Sequence, residues 1–215
     1  MQSQTIATVT SAASSYDLTT LDVIKDELGI TDNASNAKLQ RYLTSASSAI
    51  AQFCNRVFPA ETLQEQFWAT RDRWPRLIRG GIPNIQLSRW PVVSVTSVTE
   101  NGVALVEGTD FKADKVNGQL IRLDADGYPR PWPALPIVVF YVGGYSTIPA
   151  DVVDAAIRMV RQRWLSKDRD PLVKQRSIPG VLEEAFWVAT GNEAGNLPPD
   201  VADILTNYRV PVFAM

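Results

Sequence analysis

The sequence predicts an α+β protein, in which a small helical bundle carries an inserted antiparallel β-meander and a C-terminal arm. Segments toward both ends of the chain repeat apolar residues at intervals of three and four, as amphipathic helices do. From about residue 60 to 145, proline, glycine and β-branched residues replace that period. The predicted organisation is a flexible arm over 1–17, rich in Ser, Thr and Ala, followed by a single domain over 18–215.

The first predicted helix, 19–29, lies in "LTTLDVIKDELGI". Thr19 is the expected N-cap, with Asp22 three residues later in the position of a capping box. Gly29 can adopt the left-handed conformation that ends a helix. The apolar face of this helix is formed by Leu21, Ile24 and Leu28.

The second predicted helix, 36–55, has one apolar stripe and an unusual number of small residues. The small residues in its middle allow two interpretations, a thinly covered solvent face or a face that a neighbouring helix approaches closely. They are Thr44, Ser45, Ser47, Ser48 and Ala51, and the apolar stripe consists of Leu39, Leu43, Ala46, Ile50 and Phe53. Cys54, near the end of this helix, is expected to be a small buried thiol.

The β insertion is predicted to contain strands at about 92–99, 103–106, 110–114, 119–123 and 136–142. Asn101-Gly102 and Asn117-Gly118 are the turn signals that separate the middle strands. The alternation in "VVSVTSV" is imperfect, which indicates either a bulge or a strand with two partly covered faces.

Helical periodicity returns at 150–167, where Pro149 suits the start of a helix. The chain then becomes extended around 181–189 and forms a short helix from Pro199 to about Tyr208, so that 178–215 holds a strand and a short helix. The buried stripe of the helix at 150–167 is predicted to be Val153, Ala156, Ile157, Val160 and Trp164.

Composition makes several functional classes less favourable. The net charge is −2, so no global basic field favours nucleic-acid binding. The chain has no histidine and one cysteine, which excludes internal disulfides, Cys/His zinc sites and imidazole-based triads. No apolar run approaches the roughly 20 residues of a membrane helix, and the first residues lack the features of a secretion signal. We therefore predict no catalytic residue, no cofactor and no metal.

Two short motifs leave chemical alternatives open. Asp124 and Asp126 in "DADG" resemble the start of a calcium loop, but the closing glutamate is missing and a turn is the expected structure. A carboxylate hydrolase built on this pair is the third hypothesis for the function. The second hypothesis is a DNA-binding module that uses the basic stretch Arg71–Arg79, with Trp74 as a stacking surface. The same stretch would also suit ion pairing or a subunit interface.

The quoted segments together support the first hypothesis through a family resemblance. In order, "LTTLDVIKDELGI", "AIAQFCNRVF", "LSRWPVVSVTSVTENG", "YVGGYSTIPADVVDAAIRMVRQRW" and "LPPDVADILTNYRVP" resemble the head–tail connector family of tailed bacteriophages, also called adaptor or head-completion proteins. Similar proteins occur in gene transfer agents. The resemblance extends from about Leu18 to Pro211, and the β insertion is long compared with the compact helical members.

The resemblance implies a structural protein of the virion neck that is not an enzyme and contacts no membrane. Members form a ring, typically dodecameric, under the portal protein. The ring extends the channel through which genomic DNA passes without sequence recognition, and it carries a stopper or tail-terminator protein. Such a protein would be assembled into particles in the host bacterial cytoplasm.

The resemblance also implies that the C-terminal segment, residues 197–215, docks on the portal. Within it, the residues expected at the portal interface are Leu197, Pro198, Pro199, Ile204, Tyr208, Arg209, Val210 and Phe213.

Residues outside that segment are expected at subunit or tail-side contacts because small, Arg and Trp side chains suit interfaces. Trp132, which lies between prolines, is a further partner-contact candidate. The predicted subunit or tail-side contacts are Ser45, Ser48, Arg73, Trp74, Arg76, Trp90, Asn101 and Trp187.

Overall fold

The computed structural model describes residues 4–68, 84–133, 136–168, 175–178, 182–185 and 197–211. The chain divides into two compact units, a β unit comprising 1–15 with 59–147 and a helical unit comprising 16–58 with 148–215. The α+β class predicted from the sequence is confirmed by helices and antiparallel sheets in the same chain. The predicted single domain over 18–215 differs from this division, because the inserted strands bury a core of their own.

The bounds of the elements follow chain order. The helices are α1 (Leu21–Leu28), α2 (Asn36–Cys54), α3 (Ala150–Leu165) and α4 (Pro199–Leu205), and a 3-10 turn follows at Thr206–Tyr208. The strands are β1 (Gln4–Ser11), β2 (Glu61–Trp68), β3 (Asn84–Gln86), β4 (Val92–Glu100), β5 (Val103–Leu105), β6 (Phe111–Asp114), β7 (Gln119–Leu123), β8 (Pro129–Arg130), β9 (Ile137–Gly143), β10 (Gln175–Ile178) and β11 (Leu182–Ala185). No helix in these described ranges is long and apolar enough to cross a membrane.

The ends of α1 show how local sequence sets the helix boundaries. The hydroxyl of Thr20 accepts a hydrogen bond from the Val23 N–H at 3.4 Å, so the N-cap is Thr20 and not the predicted Thr19. Gly29 adopts φ +65°, and the following N–H, of Ile30, reaches the Lys25 carbonyl at 2.9 Å. Glycine is favoured here because a left-handed residue lets the chain turn back over the last carbonyls of the helix.

The buried face of α3 differs from the predicted stripe. Val153, Ile157 and Trp164 are only partly buried, because a second apolar stripe lies one residue away on the same helix. Packing against α2 selects the stripe with adjacent alanines, which allows two helix backbones to approach closely. The buried residues of α3 are Val152, Ala155, Ala156, Met159 and Val160.

The β unit contains two antiparallel sheets. The first has five strands in the order β1-β2-β9-β4-β5, and the second has the order β3-β7-β6 with β8 paired to β7. The pairing of β4 with β9 shifts register between Val92 and Ser94 and again between Val95 and Ser97, which confirms the predicted irregularity. The sequence analysis did not predict β1, β2, β3 or β8.

Strand β1 replaces part of the predicted flexible arm. It pairs antiparallel with β2, from Gln4 opposite Trp68 to Ser11 opposite Thr62. Its side chains are polar or β-branched, a composition that suits an edge strand as well as it suits an unstructured arm. Only the presence of a partner strand distinguishes the two, and that partner lies some fifty residues along the chain.

The core of the β unit includes a tryptophan that the sequence analysis assigned to partner contact. Trp132 is 1% exposed, and its indole N–H donates to the Leu120 carbonyl at 3.3 Å. Trp132 is therefore a core residue. The other members of this core are Leu63, Phe67, Ile85, Leu87, Val92, Val98, Phe111, Leu120, Ile137, Val139 and Tyr141.

A buried polar cluster connects β2, β9 and the chain before β4. The Glu65 carboxylate, which is fully buried, accepts hydrogen bonds from the Tyr141 hydroxyl at 2.8 Å and from the Ser88 N–H at 3.0 Å. The Ser88 hydroxyl also donates to Glu65, and the Tyr141 oxygen accepts from the Arg89 N–H at 3.2 Å. Burial, assisted by the adjacent Glu65 carboxylate, raises the pKa of Tyr141 far above its usual range. The phenol therefore remains a hydrogen-bond donor at any physiological pH.

One buried ion pair joins the two sheets. The Arg122 Nε on β7 lies 3.2 Å from the Glu100 Oε2 on β4. The Nη1 of the same guanidinium donates to the carbonyls of Asp110, at 2.5 Å, and Leu123, at 3.2 Å. A buried arginine is tolerated when hydrogen bonds and an opposite charge compensate its loss of hydration, and the Arg122 Nε and Nη1 have such partners here.

Candidate functional site

The segment predicted to dock on the portal packs within the helical unit. Pro199 occupies the first turn of α4, where a missing N–H costs nothing. Leu197, Val201 and Leu205 are 1%, 1% and 0% exposed, and α4 contacts both α2 and α3. The described part of this segment, residues 197–211, is called the C-terminal segment below, and its apolar side chains belong to the core of its own unit.

Beyond α4, three contacts hold the C-terminal segment to the ends of α2 and α3. The Tyr208 hydroxyl lies 2.8 Å from the Asp151 carboxylate in the first turn of α3. The Val210 N–H donates to the Cys54 carbonyl at 2.9 Å, which satisfies one of the free carbonyls at the end of α2. The Arg209 guanidinium lies 5.2 Å from the centre of the Phe53 ring. The segment is thereby fixed at several separate points.

The cysteine lies beneath this segment. Cys54 is fully buried and directs its thiol toward the Leu205 carbonyl, with the sulfur and oxygen 3.8 Å apart. Burial raises the pKa of the Cys54 thiol to about 11, although the positive charges of Arg56 and Arg209 partly oppose that shift. The predicted small buried thiol is confirmed, and its raised pKa favours the protonated, less reactive form at neutral pH.

The predicted portal residues are not equally accessible. Leu197 and Pro198 are buried within the helical unit. Ile204, Tyr208 and Val210 are half-buried, whereas Pro199 and Arg209 are exposed. Phe213 lies outside the described residues.

The small residues of α2 have two different environments. Ser47 is buried, and its hydroxyl accepts a hydrogen bond from the Leu18 N–H at 3.0 Å. Ser45 and Ser48 are exposed, and the Arg163 Nη1 donates to the Ser45 hydroxyl at 2.7 Å. The solvent-facing interpretation therefore holds for Ser45 and Ser48, whereas Ser47 packs against the chain before α1. The exposed stripe of α2 comprises Ala37, Arg41, Thr44, Ser45, Ser48 and Gln52.

Two predicted contact residues of the β unit, Asn101 and Trp90, lie in described connections between strands. Asn101 and Gly102 adopt φ +49° and +82° at the tip of the β4–β5 hairpin, which confirms the turn expected from Asn-Gly. Asn101 is exposed. Trp90 is half-buried and packs against the backbone at Gly118, where a Cβ would lie 2.7 Å from the Trp90 Cβ. Of these two residues, Asn101 offers the more accessible surface.

The acidic pair forms a turn. The Asp124 carboxylate accepts hydrogen bonds from the N–H groups of Asp126 and Tyr128, at 3.0 and 2.8 Å. An aspartate used in this way stabilises the loop, as the sequence predicted for a turn. Within the described ranges, no group of three or more His, Cys, Asp or Glu side chains could hold a metal ion.

Several predicted contact residues cannot be placed. Arg73, Trp74 and Arg76, with the rest of the basic stretch Arg71–Arg79, lie outside the described residues, and so does Trp187.

The structure shows one accessible feature that the sequence analysis missed. Strand β1 is exposed at residues 5–10, and Ile6 and Val9 retain 50% and 42% of their accessible surface. The signal was present, since "QTIATVTS" is rich in Thr and β-branched residues and has no charge or proline, like the strand predicted at 92–99.

Comparison with known proteins shows which protein family the N-terminal part of the chain resembles. The model of the phage gp6-like head-tail connector family matches residues 18–72, so the resemblance predicted from the sequence is confirmed over that range. The matched range includes α1, α2 and β2. The comparison with curated proteins found no match.

Two solved structures share the fold along almost the whole chain. One is the neck of an empty gene transfer agent particle computed with C6 symmetry, with a TM-score of 0.54, 16% identity and 98% of each chain covered. The other is the virion of a native gene transfer agent particle, with a TM-score of 0.53, 17% identity and 98% of each chain covered. At this level of identity the agreement establishes a common fold that includes both the helical unit and the β unit.

Proposed function

We propose that this chain is a structural head–tail connector in the neck of a tailed phage or phage-like particle. The observation that carries the proposal is the agreement with a gene transfer agent neck structure over 98% of both chains. The connector-family match to residues 18–72 supports it independently from the sequence. In this role the chain performs no catalysis and requires no cofactor or metal.

The proposed assembly is a ring under the portal that extends the DNA channel. Rings are built from heterologous contacts, in which two different patches of each subunit meet. A ring of twelve agrees with the C6 symmetry applied to the related neck, because twelve is a multiple of six. DNA passes through without sequence recognition, and the net charge of −2 avoids a strongly basic channel wall that would retard it.

The C-terminal segment is the proposed portal-binding surface. Its buried side chains fix it to the helical unit, and its exposed side supplies Pro199 and Arg209 with the half-buried Ile204 and Val210. An arginine beside apolar side chains is a common composition for an interface. Anchoring by Tyr208 reduces the ordering entropy lost on binding, since the segment is already held in place.

The remaining predicted contacts are assigned to neighbouring subunits or to the stopper or tail-terminator protein. Ser45 and Ser48 are exposed on α2, and Asn101 lies at an exposed hairpin tip. Small side chains such as these serines permit close approach by another protein.

Reconstitution with portal tests the proposal. Full-length protein is mixed with portal particles from the same phage-like genome, and the product is imaged by electron microscopy. We expect added density that forms a ring beneath the portal. Arg209→Glu should weaken portal binding roughly tenfold or more, because it replaces a positive charge at the interface with a negative one that has no partner there. Lys112→Glu makes the same charge change on the exposed side of β6 and should leave portal binding unchanged. Failure of the unmodified protein to bind portal under any condition would contradict the proposed function.

A further inference from the structure

Strand β1 has the chemistry of an edge that a partner covers. It contains eight residues with neither a charged side chain nor a proline. Its side chains at 5–10 are exposed, including Ile6 and Val9. Isolated proteins normally protect long edge strands with charges, prolines or pronounced bulges, because an open edge recruits further strands. The one register shift in β1, between Val9 and Ser11, leaves its first six residues in regular pairing with β2.

At the opposite edge of the same sheet, the last strand is too short to cover its neighbour. Strand β5 pairs only with Val98–Glu100 of β4. Along the rest of β4, the side chains of Val93, Ser94, Thr96 and Ser97 are exposed. The neighbouring Val92 N–H donates a hydrogen bond to the Lys115 carbonyl, at 2.6 Å. The part of β4 that remains accessible to another strand is therefore 93–97.

The strand directions make these two positions compatible. Every neighbouring pair in the order β1-β2-β9-β4-β5 is antiparallel, so the first and fifth strands run in the same direction. If a second copy continues the sheet in the same orientation, its β1 lies beside β4, in line with the short strand β5 and parallel to it. There it would run antiparallel to β4 at 93–97. Neither β1 nor this stretch carries a charge, so no like-charge repulsion opposes the pairing.

We propose that β1 of one copy adds to the open stretch of β4 in the next copy, which makes the sheet continuous across a subunit boundary. The contact joins two different surfaces of the chain, as closure into a ring requires. The inference rests on the ring assembly of the proposed function and identifies one of its subunit contacts. Backbone hydrogen bonds supply the pairing, and Ile6 and Val9 supply the apolar surface that becomes covered.

Cysteine cross-linking tests the contact directly. The native Cys54 is buried, so introduced cysteines provide the reactive thiols of the folded protein. Thr8→Cys is combined with either Ser94→Cys or Thr96→Cys; two positions are tested because the bulges of β4 leave the exact register open. Each double variant is treated with a short bis-maleimide at a series of protein concentrations. We expect a ladder of dimers, trimers and larger species. Thr8→Cys combined with Val116→Cys, in the exposed β6–β7 loop, should give no ladder.

The outcomes separate this contact from other partners. Thr8→Cys alone should give no dimer, and a dimer would show a symmetric β1–β1 contact and overturn the proposal. Absence of a ladder with both β4 cysteines, or absence of any species larger than a monomer, would also overturn it. Cross-linking of Thr8→Cys to portal or tail protein instead would show that the edge binds a different occupant.

A charge variant gives a second readout. Ile6→Lys should weaken self-association roughly tenfold, since it places a charge on the covered edge. Val23→Lys, at a similarly exposed valine of α1, should leave self-association unchanged. An unchanged association constant for Ile6→Lys would contradict the proposal. If a ring forms on portal particles but the β1–β4 cross-link is absent, the proposed contact is wrong and the proposed function is retained. If the cross-linked ladder forms but no ring forms on portal, the proposed function is wrong and the contact is retained.

Discussion

The hydroxyl of Tyr208 lies 2.8 Å from the carboxylate of Asp151, which joins residues 57 positions apart in the sequence. The Tyr208 ring also packs against Phe58, with ring centres 5.9 Å apart. The contact links the end of the C-terminal segment to the first turn of α3. It therefore determines whether the proposed portal-binding surface is already ordered before the partner arrives.

Tyr208→Phe removes the hydrogen bond and keeps the ring. We expect the free energy of unfolding to fall by about 0.5–1.5 kcal/mol, the usual net contribution of one such bond. Amide exchange at Arg209 and Val210 should accelerate more than exchange in α2. Tyr128→Phe, at a 69% exposed tyrosine in a turn of the β unit, is the matched control and should change neither quantity. Equal stability and equal exchange in the Tyr208 variant would show that the contact does not hold the segment.

Leu205→Ala tests whether the C-terminal segment belongs to the core of the helical unit. Leu205 is fully buried, so its truncation leaves a cavity that should cost about 2–5 kcal/mol in denaturant unfolding. The thiol of Cys54, adjacent to the Leu205 carbonyl, should react faster with a maleimide in this variant. Leu165→Ala, at a 72% exposed leucine of α3, should have little effect on either measurement. A Leu205 variant as stable as the unmodified protein would mean that the segment does not fold with the helices.

Tyr141→Phe should change the pH dependence of stability at alkaline pH. The folded-state pKa of Tyr141 lies above its ordinary value of 10.0, so the unfolded chain loses this proton first as the pH rises. The stability contributed by the neutral phenol is complete below pH 10 and is lost above it, by up to about 1.4 kcal/mol per pH unit. The variant has no phenol at this position and therefore lacks this pH-dependent contribution to stability. The difference in unfolding free energy between the two proteins should therefore shrink as the pH rises above 10.

The measurement for Tyr141 is denaturant unfolding at a series of pH values from neutral to alkaline. At neutral pH the variant should be less stable by about 1–3 kcal/mol, because the buried Glu65 carboxylate loses a donor. Cys54 contributes alkaline pH dependence of its own, with a pKa raised from 9.0 to about 11, and this contribution is the same in both proteins. A constant difference between the two proteins at all pH values would contradict the assignment.

Gly118→Ala and Gly102→Ala should differ in cost although both glycines have positive φ, +68° and +82°. A Cβ at Gly102 meets no atom within 4 Å, so only backbone strain applies and the cost should be about 1 kcal/mol. A Cβ at Gly118 would lie 2.7 Å from the Trp90 Cβ, which forces a shift in addition. We expect its cost to exceed that of Gly102→Ala by about 1–3 kcal/mol in denaturant unfolding. Equal costs would show that the chain around Trp90 moves freely.

The sequence was informative wherever local rules apply. Helix ends such as Gly29 and the turn at Asn101-Gly102 depend on backbone preferences of a few neighbouring residues, and they occur where predicted. The face of α3 was predicted one residue out of phase, because Val152 and Val153 begin two equally periodic stripes. Only packing against α2 distinguishes them, and packing is not a local property.

Long-range relationships account for most of the remaining differences. Strand β1 needs β2 as a partner, and Trp132 enters a core made by strands that are distant in sequence. The family resemblance placed Leu197 at the portal interface, whereas in the structure this residue is buried within the helical unit. Ser45, Ser48 and Asn101, predicted as subunit or tail-side contacts, are exposed in the structure, and the contacts themselves stay predictions.

The position of α4 in the chain has a consequence for the order of folding during synthesis. The β unit has all its strands once residue 147 has been made, whereas the helical unit still lacks Leu197, Val201 and Leu205. We therefore expect the sheets to form on the ribosome while α1 and α2, although translated earlier, wait for the core residues that complete them. A nascent chain halted before residue 197 should then protect the β unit from protease and leave the helices open to cleavage.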